Sequence, residues 1–154
     1  GGASHAICKK LAMEGASTIV VLNRTLNKAK TLAEDIKIKF KKSNVHYDSL
    51  KNASRYTDID VVINCTSIGM LPDVNAMPVN PLLFKDNTIV YDIIYKPLET
   101  KFVLTAKKKG LKTVNGISML INQAILSQNI WLNDDNILKN YKKIKGFLYN
   151  DVEY

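Results

Sequence analysis

Apolar residues recur along the chain in two rhythms, and the rhythms alternate. Ala3, Ile7 and Leu11 share one face at helical spacing, which predicts a helix over 3–14 stopped by Gly15. The run TIVVLN at 18–23 is short, apolar and rich in β-branched residues, as a buried parallel strand should be. Helical spacing returns over 26–40 through Ala29, Leu32, Ala33, Ile36 and Phe40, and VHY at 45–47 reads as a short strand. Two more apolar strands follow, DVVINC at 60–65 and TIVYDII at 88–94, with a Pro- and Asn-rich loop over 71–81 between them. A helix over 99–110 closed by Gly110, a brief strand KTV at 112–114 and a strongly apolar helix over 117–132 continue the alternation. The last segment, 135–149, carries Ile137, Leu138, Tyr141, Ile144 and Leu148 at helical spacing.

Strands alternating with helices, the strands nearly continuous in apolar residues, predict an α/β fold: one domain, a parallel sheet with helices on both faces. A length of 154 residues is enough to bury a core. No run approaches the roughly 18 apolar residues of a membrane helix, so no membrane partner is expected. The net charge of +8 comes mostly from lysines clustered at 37–42, 107–109 and 142–145. These lie at helix ends or on polar faces, where lysine complements the helix dipole, and no aromatic stripe interleaves them. Nucleic acid is therefore not an expected partner. Cys8 and Cys65 lack metal-ligand spacing and fit a reducing compartment, which makes the cytoplasm the expected location. His5 and His46 stand alone, and no metal set or Ser/His/Asp constellation is present.

In a doubly wound sheet, ligands gather at the carboxyl ends of the strands. That places the chemistry in NRTLNK (23–28), NCTSIGM (64–70), DIIYKP (92–97) and NGISML (115–120). The first is the most informative. An acid at the second strand's tip would accept from the free 2′-hydroxyl of NAD, whereas Asn23, Arg24, Thr25 and Lys28 offer donors and positive charge suited to a 2′-phosphate. The plainer reading makes this a polar loop with Thr25 as N-cap of the next helix. Thr66 and Ser67 could hydrogen-bond a ribose or diphosphate, or simply form an ordinary turn. Cys65 has no histidine near it in sequence and reads as a small buried apolar residue rather than a nucleophile.

Taken together, GGASHA, NRTLNK, DVVINCTSIGM, DIIYKPLETKFVLTAKKKG and NGISMLINQA resemble the NADP-binding C-terminal domain of shikimate dehydrogenases. The likeness covers residues 1–132, with 133–154 as a C-terminal helical segment. The resemblance implies a Rossmann-type doubly wound sheet, NADP as cofactor, and reversible reduction of 3-dehydroshikimate to shikimate. Gly1, Gly2 and Ala3 match the end of the family's diphosphate loop, and Asn23, Arg24, Thr25 and Lys28 its adenosine-phosphate clamp. Thr66, Ser67 and Ile93 match positions near the ribose and nicotinamide, and Gly116 the glycine whose backbone meets the nicotinamide amide. Tyr95 and Gln123 match residues extended toward shikimate, with Met119 lining the same cleft. On the residues alone, Tyr95 could instead anchor a turn and Gln123 could face solvent.

The resemblance also sets two departures. Lys28 stands where the family commonly has arginine, exchanging a bidentate contact for a point charge. The family's catalytic lysine–aspartate pair belongs to an N-terminal domain, and no lysine here falls in a matching motif. The chain is accordingly expected to be N-terminally truncated, to lack the first strand between TIVVLN and DVVINC, to be unstable, swapped or rearranged alone, and to be inactive alone. Expected partners are the small-molecule substrate and the missing catalytic domain, with a homodimer kept open. The rival readings are a quinate/shikimate dehydrogenase with relaxed NAD and NADP use, related folate and glutamyl-tRNA enzymes, and a non-catalytic nucleotide-binding module.

Overall fold

The computed structural model describes residues 1–133, 143, 146 and 147; apart from those last three positions, the expected helix 135–149 and the lysine cluster 142–145 lie outside the described residues. The chain divides into two compact units, Gly1–Thr57 and Asp58–Tyr154.

In the first unit α1 (Gly2–Met13) leads to β1 (Thr18–Asn23), α2 (Leu26–Lys39) and β2 (Asn44–Ser49), and a 3-10 helix follows at Leu50–Arg55. β1 and β2 are parallel, in register from Thr18 opposite Asn44 to Asn23 opposite Ser49. Ile19 and Val45 are thus partners on one face, and α2 lays Leu32, Ala33 and Ile36 over them. Those three positions follow the i, i+3, i+4, i+7 spacing from Ala29, and all four are buried. Truncating Leu32 or Ile36 to alanine in such a setting costs about 2–5 kcal/mol.

The second unit carries β3 (Val61–Asn64), a 3-10 turn at Pro81–Leu83, β4 (Ile89–Asp92), α3 (Lys101–Lys108), β5 (Lys112–Val114) and α4 (Ile117–Leu132). Its three strands are parallel in the order β3-β4-β5. Val90, Phe102, Ala106 and Leu111 form its core, while Ile117, Ile121 and Ile125 make the buried stripe of α4.

Every strand and helix expected within 1–132 is present, to within a few residues at the ends. The two 3-10 helices were not foreseen. Each is nucleated by a side-chain acceptor that apolar periodicity does not register: Ser49 Oγ takes the Lys51 N–H at 3.4 Å, and Asn80 Oδ1 takes the Leu82 N–H at 3.1 Å. The parallel strands form two sheets, β1-β2 and β3-β4-β5, rather than the single sheet expected; among the described residues β1 pairs only with β2, and β3 only with β4.

Candidate functional site

The tip of β1 is set by Asn23. Its Oδ1 accepts the Thr25 N–H at 2.9 Å, folding the chain into a short turn between β1 and α2. Thr25 is the N-cap residue of α2, yet its side chain makes no capping bond. Thr25 thus takes the N-cap position that the plainer sequence reading gave it, while its hydroxyl is not spent on a capping bond. Lys28 N–H donates to the Thr25 carbonyl at 3.0 Å, closing the first turn. Arg24, Thr25 and Lys28 are exposed, and the first turn of α2 holds no acid. Two cationic groups and a hydroxyl thus stand at the positive end of a helix, a combination that favours a phosphate dianion.

At α1, Gly1 and Gly2 are exposed and Ala3 half-buried, and a Cβ on either glycine would meet nothing within 4 Å. His5 settles locally, its Nδ1 3.0 Å from the Gly1 carbonyl. Sequence reasoning missed Asp48, beside the tip of β1 on β2. It accepts from the Ser49 N–H at 2.7 Å, the Asn52 amide at 2.8 Å and the Tyr56 hydroxyl at 3.1 Å, with Arg55 at 3.8 Å. The Asn52 and Ser49 bonds lead in holding its carboxyl below the ordinary carboxylate value, against its desolvation, with Tyr56 and Arg55 adding to them.

The tips of the second unit are organised in the opposite manner. Asn64 ends β3, Asp92 ends β4, and the two are register partners. Their side chains meet: the Asn64 amide donates to Asp92 Oδ1 at 3.0 Å. Asp92 is fully buried and also accepts the Ile94 N–H at 3.1 Å and the Thr100 hydroxyl at 2.6 Å. Thr100 in turn caps α3, accepting the Val103 N–H at 3.3 Å. Burial pushes the Asp92 carboxyl up, against the pull of Thr100, the Ile94 N–H and Asn64.

From this centre the loops are tied outward. Asn64 Oδ1 accepts the Thr66 N–H at 3.0 Å and hydroxyl at 2.7 Å, and its amide donates to the Ile68 carbonyl at 3.2 Å. The Ile93 N–H donates to the Asn64 carbonyl at 3.2 Å, and the Gly116 N–H to the Ile94 carbonyl at 3.0 Å. A Cβ on Gly116 would lie 1.9 Å from the Ile93 oxygen, so only glycine fits there. Thr66, Ile93 and Gly116, singled out separately in the sequence, are therefore joined by one bonded set of loops. Thr66 spends its hydroxyl proton within that loop, whereas Ser67 is exposed.

Tyr95 is exposed on the loop after β4. Gln123 is exposed on α4 and its amide donates to Ser127 Oγ at 3.1 Å, while Met119 is half-buried on the same helix. A hollow of about 220 Å³ in this unit is lined by Glu99, Val103, Lys107, Thr113, Asn115 and Ser118 among others; Asn115 and Ser118 belong to NGISML, but none of these is among the candidate binding residues. Among the described residues no group of acids, histidines and cysteines is placed to hold a metal, and no helix is long and apolar enough to cross a membrane.

Parallel strands joined through helices, with donor-rich tips, define a Rossmann-type α/β protein. The model of the shikimate/quinate 5-dehydrogenase family matches residues 1–93, and the chain belongs to that family. It is 46% identical over 149 residues to the shikimate dehydrogenase (NADP(+)) of Caldanaerobacter subterraneus subsp. tengcongensis, covering 95% of this chain and 52% of that enzyme. It superposes on shikimate 5-dehydrogenase of Thermus thermophilus, solved with NADP(H) and shikimate, with a TM-score of 0.72 at 30% identity. That match covers 94% of this chain and 52% of the other. The Listeria monocytogenes enzyme, solved with shikimate and NAD, gives a TM-score of 0.82 at 26% identity over 94% and 52% of the two chains. The chain spans about half the length of the curated relatives it matches.

Proposed function

We propose that these 154 residues are the NADP(H)-binding domain of a dehydrogenase that interconverts 3-dehydroshikimate and shikimate in the cytoplasm. The observation that carries this reading is the tip of β1, where Arg24, Thr25 and Lys28 are exposed and uncapped with no acid among residues 23–28. The residues present fit the cofactor: this exposed donor set, with no acid beside it, suits a 2′-phosphate. When bound, the nicotinamide supplies or receives the hydride. Arg24, Thr25 and Lys28 hold the 2′-phosphate, with Asn23 fixing their turn, and the N–H groups at Gly1, Gly2 and Ala3 face the diphosphate. Thr66, Ser67, Ile93 and Gly116 orient the ribose and nicotinamide, and Tyr95 and Gln123 reach toward the substrate. None of these groups is assigned the transferred proton, which falls to a lysine–aspartate pair outside these residues.

The deciding experiment is a fluorescence titration of the chain with NADPH and NADH. NADPH is expected to bind at least about tenfold more tightly, and Arg24→Gln to close most of that gap. Equal affinities for the wild type would favour the second reading, relaxed cofactor use, which the NAD-bound Listeria relative supports. The purified chain is expected to show no NADP-dependent oxidation of shikimate, since general acid–base chemistry alone contributes roughly 10²–10⁴-fold. Measurable turnover would overturn the assignment of the proton to an outside pair.

A further inference from the structure

Asp92 is the one fully buried carboxylate among the described residues. Val90 and Ile94 on either side are buried and apolar. Placing a charge there is costly, and well-packed apolar groups of similar volume are often as stable or more so. Directional bonds do what apolar packing does not: they fix where loops stand relative to one another. The three bonds of Asp92 run to three such places. Through Asn64 they reach Thr66 and Ile68, through Ile94 they reach Gly116 at the start of α4, and through Thr100 they reach α3.

We propose that Asp92 is a positioning residue for the nicotinamide end of the dinucleotide, acting through Thr66, Ile93–Ile94 and Gly116 without touching the ligand. This role rests on the reading that those loops receive the nicotinamide ring. It separates Asp92 from a merely structural group, because a structural defect lowers binding of any part of the dinucleotide alike.

The test titrates the chain with NADPH and with 2′-phospho-ADP-ribose, which carries the adenosine phosphates but no nicotinamide. The readout is the ratio of the two affinities, which an unfolded fraction leaves unchanged. Asp92→Asn is expected to weaken NADPH about tenfold while 2′-phospho-ADP-ribose binds as before. Thr100→Val, which removes one of the three bonds and keeps the carboxylate, is expected to shift the same ratio about threefold, and it decides the matter if Asp92→Asn does not fold. An unchanged ratio in the folded variants overturns the positioning role while leaving the cofactor reading standing. A wild-type chain that binds 2′-phospho-ADP-ribose as tightly as NADPH overturns the reading of the nicotinamide loops, and the positioning role falls with it.

Discussion

At the tip of β1 the polar groups face water, and at the tips of β3 and β4 they are buried in one another. Arg24, Thr25 and Lys28 are exposed, and the bonds given for them are backbone ones, in the turn that Asn23 makes and in the first turn of α2. Asn64, Asp92 and Thr100 are each at most 3% exposed and bonded into a closed set. Charge follows the same division. Residues 1–57 hold eleven Lys and Arg against four Asp and Glu, whereas residues 58–154 hold eleven against ten. On the proposed function, the contrast separates two jobs. Attracting an anion needs field and donors, which exposed flexible cations supply; setting the angle of a reacting ring needs loops that do not move, which a buried network supplies.

The largest effect that would test this division comes from glycines. Gly116→Ala drives a methyl into the Ile93 carbonyl and is expected to destabilise the chain by about 3 kcal/mol or more in urea unfolding. Gly2→Ala, at an open position, should stay within about 0.5 kcal/mol. Comparable losses at both sites would show that the first unit is as tightly constrained as the second.

Thr100→Val comes next. It removes the 2.6 Å bond to Asp92 and the cap on α3 together, and the expected loss is about 2 kcal/mol. Thr100→Ser keeps the hydroxyl and should recover most of it. If serine proves as damaging as valine, the methyl packing near Gly69 matters more than the network.

This network marks the limit of what the sequence made legible. Ile19, Val45, Ala29, Leu32 and Ile36 announced themselves because burial of one face repeats at the period of the element. Asn64, Asp92 and Thr100 appeared only as polar punctuation at the ends of apolar runs. Their meaning lies in partners as far as 28 residues away, and no local period encodes such a pairing. The division into two sheets departs from the single parallel sheet that the apolar pattern predicts, because strand pairing is not written in a strand's own composition. Arg24 and Lys28 were legible for the opposite reason: an exposed charge at a strand tip acts as itself, without partners.

The two units should also answer acid with opposite signs. Asp48 has its folded value lowered, so it contributes stability above its unfolded value that is lost as pH falls through the lower folded one. Asp92 has its folded value raised, so ionising it costs stability as pH climbs from the ordinary carboxylate value through the raised one. Carboxyl carbon NMR titration should place the Asp48 midpoint below the ordinary carboxylate value and the Asp92 midpoint above it. Asp92→Asn should remove the destabilisation on the alkaline side, and Asp48→Asn the loss on the acid side. Midpoints in the same direction would erase the electrostatic half of the contrast.

The smallest effect concerns Lys28, whose ammonium is exposed on the first turn of α2. Lys28→Arg keeps the charge and replaces a point donor by a planar fork that can take two phosphate oxygens at once. The gain expected from one added charge-assisted bond at an exposed site is about 0.5–1 kcal/mol, so NADPH affinity should rise roughly two- to fivefold. Because no charge is added, the slope of log affinity against log salt should stay as it was, whereas Lys28→Gln should flatten it. NADH, which has no 2′-phosphate, should bind all three proteins alike. A steeper salt slope in Lys28→Arg, or an equal gain for NADH, would mean that this residue acts through the general field of the first unit rather than through a contact at the tip of β1.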